Sequence, residues 1–190
     1  MKQEEISFNT KKKLSAILKE EMKHKPFEKI TVSELIEKCE INRKTFYYHF
    51  NDIYDLLRWT FEQETVEAIK NYDLFKDSAE VINFVLDYCE ENRYLIISAY
   101  DSIGRDGLKR FFYNDFYDLG LAIIEEAEKI AGKKIDEKYK KFLCSFYTEA
   151  ISGILFNWVK KETKMYTRKE VVEYISLTIK SSLKGVMEEY

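Results

Sequence analysis

A chain of 190 residues, 45% hydrophobic and 15% aromatic, has ample material for a core. One proline and six glycines leave little to break helices, and strand-like alternation bounded by turn residues is missing, so an all-β or mixed sheet fold is excluded and an all-α fold is expected. The net charge of −3 argues against a uniformly basic nucleic-acid binder, yet residues 1–61 carry 12 Lys and Arg against 10 Asp and Glu, and residues 62–190 carry 19 against 24.

The first predicted helix covers about Ser7 to His24, with Leu14, Ile17, Leu18 and Met22 as its apolar stripe. Lys11, Lys12 and Lys13 form a short basic run that serves either as a solvated face or as a source of phosphate contacts. Pro26 ends this helix, and Phe27 and Ile30 pack the connection. Thr31 and Glu34 then have capping-box spacing, and Val32, Leu35, Ile36 and Cys39 follow at helical intervals, so a second, short helix ends near Cys39 or Glu40.

Asn42 provides another N-cap, opening Arg43-Lys44-Thr45-Phe46-Tyr47-Tyr48-His49-Phe50. Phe46 and Phe50, four apart, face inward. The outward positions then carry cations, hydroxyls and flat rings, with almost no aliphatic surface. A helix that enters the major groove needs such a face: phosphate contacts set its register and polar side chains read base edges. The plainer reading is a three-helix subdomain whose polar surface binds nothing. Three successive caps, two very short helices and this outer face together favour DNA.

Asp52 caps a fourth helix that is expected to run on to about Asn71, with an interruption at Asp73 to Lys76. Asp77-Ser78-Ala79-Glu80 offers the next capped start, followed by Val81, Ile82, Val85, Leu86 and Cys89. A helix over about Asn92 to Ser102 is expected to break at Gly104-Arg105-Asp106-Gly107, and another to run to about Ala131. The last two span about Asp136 to Glu162 and Thr167 to the C-terminus, with Thr167 and Glu170 repeating the capping box.

On this last pair, apolar residues spread round more of the circumference than one chain's core requires. Phe146, Ala150, Gly153, Ile154 and Trp158, with Ile175, Ile179 and Leu183, are the expected dimer interface, two helices from each subunit forming a four-helix bundle. The alternative is that both stripes serve the intramolecular core. Aromatics crowd the middle of the body, and Tyr88, Tyr100, Phe112, Tyr113, Phe116, Tyr117 and Tyr147 are candidates to line a site for a small apolar or aromatic effector, each tyrosine offering a flat wall and one hydroxyl. They are otherwise simply core.

Enzyme chemistry finds no support. The two histidines, His24 and His49, lack Cys or carboxylate neighbours at metal-ligand spacing, and no Gly-rich phosphate loop, nucleophile elbow or HExxH motif is present, so neither catalytic residues, metal nor cofactor are expected. Cys39, Cys89 and Cys144 are widely spaced in apolar patterns, which suits reduced core thiols. The absence of a signal-peptide h-region or an apolar run of membrane-span length places the protein in the cytoplasm with no membrane partner.

Over about Phe27 to Phe61 the chain closely resembles the TetR family of bacterial transcriptional regulators, through I-T-V, L-I and C-E-I-N-R-K-T-F-Y-Y-H-F-N-D-I-Y-D-L-L, with the T-F-Y-x-H-F core at Thr45 to Phe50. The run Gly153 to Trp158 resembles the last-but-one helix of the branch containing dihydroxyacetone-kinase regulators. The resemblance implies a helix-turn-helix DNA-binding domain over 1–52 and a helical effector-binding and dimerisation domain over 53–190. It puts DNA contacts on Thr31, Asn42, Arg43, Lys44, Thr45, Tyr47, Tyr48 and His49. It implies a homodimeric repressor on a palindromic double-stranded operator, released or engaged by an effector. The alternative is the same fold acting as a protein-interaction module or co-regulator answering to a partner protein, without a ligand pocket. Three positions depart from the family pattern. Glu40 stands at a turn usually held by Gly, Lys44 replaces a small residue, and Ile53 replaces a frequent Lys that meets phosphate.

Overall fold

The computed structural model describes residues 3–66, 72, 77–160 and 166–190. Every regular element among them is helical. These are α1 (Gln3–His24), a short 3₁₀ turn (Phe27–Lys29), α2 (Val32–Cys39), α3 (Arg43–His49), α4 (Ile53–Phe61), α5 (Ser78–Glu91), α6 (Arg93–Ala131), α7 (Glu137–Lys160) and α8 (Arg168–Glu189). They fall into two compact units, Met1–Ala68 with Tyr94–Leu108, and Ile69–Arg93 with Lys109–Tyr190.

The first unit closes round Leu14, Leu18, Leu35, Phe46, Leu56 and Leu57, all without solvent exposure. Its helices are fixed by local chemistry. Thr31 and Glu34 form the expected capping box, Asn42 Oδ1 accepts from Thr45 N at 2.8 Å, and Asp52 Oδ1 accepts from Asp55 N at 2.8 Å. Lys25 and the Thr31 backbone and hydroxyl together hold the Glu34 carboxyl down at about 2. Between α2 and α3 the backbone reverses at Glu40, which takes up the left-handed conformation (φ 59°, ψ 39°), and Lys13 Nζ donates to the Cys39 carbonyl at 2.8 Å. That ammonium caps the C-terminus of α2.

α4 does not continue as one long α-helix. At Glu62 it widens into a π-helical turn, Glu62–Val66, where Lys19 Nζ reaches both Glu64 oxygens at 2.9 and 2.8 Å. The remainder of the expected helix, and the interruption expected at Asp73 to Lys76, lie outside the described residues. The expected break at Gly104 to Gly107 is a kink instead of a loop. Only Gly104 leaves the helical region (φ 71°, ψ 174°), and α6 resumes at once. Residues Tyr94–Leu108 of α6 count with the first unit, where Ser98 Oγ accepts from Phe27 N at 2.9 Å.

In the second unit Leu86, Ile124, Leu143, Cys144, Ile175, Ile179 and Leu183 form the core. α7 is long and apolar enough to cross a membrane by length and composition, which the sequence reading did not anticipate, but its Leu143, Cys144, Leu155 and Val159 are packed inside the protein. Asp77 precedes α5 without capping it, whereas Thr167 and Glu170 make the second capping box in full. The turn from α6 to α7 is built on Glu128, which is buried to 1% exposure. Its carboxylate accepts from Ile135 N at 2.9 Å, from Lys134 at 2.9 Å and from Lys140 at 3.0 Å. Burial pushes its pKa up, but these three donors outweigh burial and hold it below the usual carboxylate range.

Substitutions at two positions test these local arguments. A non-glycine residue in the left-handed region costs about 1–2 kcal/mol, offset by the greater freedom of Gly in the unfolded chain, about 0.4–1 kcal/mol. Glu40→Gly is therefore expected to raise the melting temperature by about 2–4 °C, while Glu40→Ala, which keeps the strain, leaves it unchanged. Glu128→Ala leaves the buried Lys140 ammonium without that carboxylate, and is expected to cost about 3–5 kcal/mol in denaturant unfolding. Because the folded carboxyl titrates below its unfolded value, the wild-type contribution is complete above the ordinary carboxylate pKa. It fades as pH falls through the lowered one, so the gap between the two proteins closes in acid.

Candidate nucleic-acid interface

α3 has seven residues, too few to be stable alone, so its outward face exists only because its inward face is held. Phe46 is fully buried and Phe50, just past its C-terminus, is 3% exposed. The two rings pack at 5.9 Å, and Phe50 also meets Trp59 edge-on at 6.0 Å. With these fixed, Arg43, Lys44, Tyr47 and Tyr48 share one exposed face, at i, i+1, i+4 and i+5. Tyr47 is 51% and Tyr48 72% exposed, and the two rings rest edge-on against Phe46 and His49 respectively. Rotation of these tyrosines is thereby restricted while their hydroxyls stay outside.

The other expected contact residues are more occupied. Thr45 and His49 are half-buried on the flank of that face. Thr45 Oγ1 donates to Asn42 Oδ1 at 3.1 Å, so both residues spend polar capacity on the α3 cap. Thr31 Oγ1 donates to Glu34 Oε2 at 3.0 Å, which puts a carboxylate beside the position expected to meet phosphate. His49 Nδ1 lies 3.4 Å from Ser7 Oγ. Burial, and then the charge of Lys11, hold its pKa below the ordinary histidine value, so the imidazole is neutral at neutral pH.

Arg43 Nη2 donates to Ser33 Oγ at 3.3 Å and ties the start of α3 to α2, a partnership that sequence spacing alone did not indicate. The lysines of α1 are likewise engaged. Lys11 lies over the rings of Phe50 and Trp59 at 5.5 and 5.8 Å, and Lys12 over Phe8 at 4.7 Å. At the start of α4, Ile53 stands between Asp52 and Asp55, and Asp55 accepts from both the backbone and the side chain of Asn51 at 3.0 Å. This helix N-terminus presents carboxylates and suits phosphate poorly.

The body residues separate into groups. Phe116 and Tyr147 line a cavity inside the second unit. Tyr113 and Tyr117 stack on each other at 6.0 Å outside its wall, and Tyr88 is buried away from it. Tyr100 belongs to the first unit, and the side chain of Phe112 lies outside those described. Of the expected set, Phe116 and Tyr147 therefore share the wall of this cavity, and Tyr88, Tyr113 and Tyr117 do not line it.

Of the expected dimer residues, Phe146 and Ile154 are exposed at 53% and 40%, with Ala150 exposed and Gly153 half-buried beside them. Trp158 is half-buried, its Nε1 donating to Glu90 Oε1 at 3.1 Å. Ile175, Ile179 and Leu183 are consumed by the chain's own core, and α8 exposes Tyr174 and Leu177 in their place. All three cysteines are buried and free, and no cluster of His, Cys, Asp and Glu suited to a metal occurs among the described residues.

Residues 18–58 match the family described as bacterial regulatory proteins, tetR family, and residues 76–181, more than half the chain, match the transcriptional regulator C-terminal region of the same family. The chain is 28% identical over 151 residues to the HTH-type dhaKLM operon transcriptional activator DhaS of Lactococcus lactis subsp. lactis (strain IL1403), covering 78% of each protein. A solved structure titled dihydroxyacetone kinase operon activator DhaS superimposes with a TM-score of 0.65 at 22% identity, over 95% of this chain and 97% of that one.

The face of α3 generates a graded expectation. Lys44→Ala removes a point charge without a base-reading role, so it should weaken binding to all duplexes alike and reduce the slope of log affinity against log salt by about 1. Tyr47→Ala should cost about 1–3 kcal/mol on the preferred duplex and much less on a random one. Fluorescence anisotropy at several salt concentrations checks both, with far-UV circular dichroism to confirm that helicity is kept. Parent-like binding by both variants would show that α3 is not the reading helix.

Proposed function

Because the chain belongs to the TetR family of bacterial regulatory proteins and is a transcriptional regulator of that type, we propose that it acts as a homodimer on a palindromic operator, with α3 of each subunit in a major groove. The observation that carries this reading is the outward face of α3, Arg43, Lys44, Tyr47 and Tyr48, held on the Phe46 and Phe50 anchors. The contact residues on this reading are Thr31, Asn42, Arg43, Lys44, Thr45, Tyr47, Tyr48 and His49. Among the described residues of the first unit few cations lack a partner, so on this reading one head binds weakly and two heads on one body supply the affinity.

The exposed face of α7 supports a dimer. Tyr190, Tyr139, Phe142 and Phe146 stack in succession at 6.0 to 6.3 Å, with Phe142 60% and Phe146 53% exposed, and Ile154 extends the apolar surface along the same helix. Leu177 and Tyr174 add to it from α8. A soluble chain leaves such a stripe open at a cost in solubility, and a second copy of the same two helices covers it. Similarity to the Lactococcus lactis activator supports activation of a target operon as the output, in place of the repression expected from the sequence. Control by a small effector in the second unit completes the reading, in a protein of the cytoplasm.

Selection of bound DNA from a random duplex pool, at two salt concentrations, tests the central claim. A palindromic site whose affinity falls steeply with salt is expected, and recovery of nothing above background would overturn it. Phe146→Asp is expected to convert the dimer to monomer in sedimentation and to lower operator affinity by at least about 100-fold. A monomeric parent, or a dimeric variant, would sink the interface. A reporter driven by the selected site gives the sign: loss of the protein lowers expression if it activates.

A further inference from the structure

Two helix N-termini border α3, and in each the donors are taken by one of the chain's own carboxylates. At the start of α2, Thr31 N donates to Glu34 Oε2 at 2.8 Å, and Thr31 Oγ1 donates to the same oxygen at 3.0 Å. Lys25, just beyond the end of α1, donates through Nζ to Glu34 Oε1 at 2.7 Å. At the start of α4, the backbone and side-chain amides of Asn51 both donate to Asp55 Oδ2 at 3.0 Å. Both places adjoin the outward face of α3. Arg43 Nη2 reaches Ser33, the residue before Glu34, at 3.3 Å, and Asn51 lies just past His49 and Phe50, where α3 ends.

Backbone amides, hydroxyls and ammonium groups at a helix N-terminus are the donors that a phosphate takes. Here a phosphate meets a fixed anion instead, and must either displace it or lie against it. Two like charges about 4 Å apart repel enough to cost about fivefold in affinity even at the dielectric of water. Lys25 first, and then the Thr31 amide, hold the Glu34 carboxyl down at about 2, so this anion keeps its charge across the neutral range. Capping alone does not call for Lys25. At the start of α8 the same box forms from Thr167 N and Oγ1 to Glu170 Oε2, at 2.7 and 2.8 Å, and no ammonium joins it among the described residues.

We propose that Glu34 and Asp55 are intramolecular competitors for DNA phosphate, holding down the grip of the α3 face on the duplex backbone whatever its sequence. This role rests on α3 as the reading helix and adds to it a limit on affinity. A phosphate contact is worth the same on any duplex, so α3 with both borders open would hold generic DNA through its backbone alone. With carboxylates at both borders, backbone contacts contribute little, and lasting binding requires the base contacts of a preferred site. Glu34 acts twice, placing an anion before the phosphate and engaging the Lys25 ammonium that would meet it. Asp55 engages no cation among the described residues, and acts through its own charge and by filling the Asn51 donors.

The full-length protein is tested by fluorescence anisotropy against a duplex of random sequence at several salt concentrations. Glu34→Gln keeps an acceptor for the cap but loses the charge and releases Lys25. It is expected to bind about fivefold tighter, with the slope of log affinity against log salt steeper by about 1. Asp55→Asn is expected to gain by a similar factor with less change in slope, whereas Glu34→Asp, which keeps the charge, binds like the parent. Glu170→Gln carries the same cap lesion and the same change of net charge in the second unit, and is expected to leave DNA affinity unaltered. No gain from either Glu34→Gln or Asp55→Asn would overturn the proposal, as would an equal gain from Glu170→Gln. A gain from one alone confines the role to that carboxylate. Lys44→Ala is measured in parallel. Unchanged binding by that variant removes α3 as the reading helix, while a loss there without gain in the other two sinks the competition alone.

Discussion

The outward face of α3 depends on two phenylalanines. Seven residues make under two helical turns, and a helix that short is not stable through its own backbone. Phe46 and Phe50 convert tertiary burial into the rigidity of α3, and Trp59 and Phe8 extend the packing back to α4 and α1. The turn at Glu40 is then compelled. To bring α3 across α2 within the three residues Glu40 to Asn42, the backbone enters the left-handed region, and the residue there is a glutamate. The strain is tolerated because caps fix both sides of it: Lys13 on the last carbonyls of α2, and Asn42 on the first amides of α3.

The same unit is economical with charge. Lys19 is held by Glu64, Lys25 and Lys38 by Glu21, with Lys25 also on Glu34, and Lys11 and Lys12 lie over aromatic rings. These contacts are mostly at the surface and each is worth little for stability. The ion pairs have a larger effect in offsetting the charges of their lysines, whereas Lys11 and Lys12 keep theirs over the rings, and Arg43 and Lys44 are the charges carried by the exposed face of α3. A protein built this way gains little from nonspecific attraction to DNA. On the proposed reading, its selectivity comes from the geometry of the tyrosines and from the coupling of two heads.

Capping was legible in the sequence because it is local. Thr31 with Glu34, Asn42, Asp52, and Thr167 with Glu170 involve partners three residues apart, and each adopts the expected geometry. Features decided by tertiary packing were not legible. The π-helical turn at Glu62 follows no motif, and Gly104 in a helical pattern does not announce whether the chain will loop or kink. Counting aromatics suggested a tyrosine-lined cavity; the cavity between α5, α6, α7 and α8 is walled mostly by aliphatic side chains, with Phe116 and Tyr147 among them. Tyr113 and Tyr117 stack on each other, and the Tyr113 hydroxyl pairs with that of Ser145, outside the wall of this cavity.

The last two helices show why a hydrophobic stripe alone cannot assign an interface. On α8 the residues at 175, 179 and 183 are the most apolar and therefore the first to be used, and the core takes them. What remains outside is amphipathic: Tyr174, Leu177, Ser181 and Ser182. On α7 the order is reversed, because apolar residues occupy both faces and the core, supplied by Leu143, Tyr147 and Leu155, cannot also bury Phe142, Phe146 and Ile154. The surplus is thus created by composition and located by packing. Tyr147 sits at the boundary between the two faces, its ring in the wall of the cavity and its hydroxyl linked to the hydroxyl of Ser182. One side chain thus borders both the cavity and the exposed stripe, because the apolar surplus of α7 leaves no polar residue to separate them.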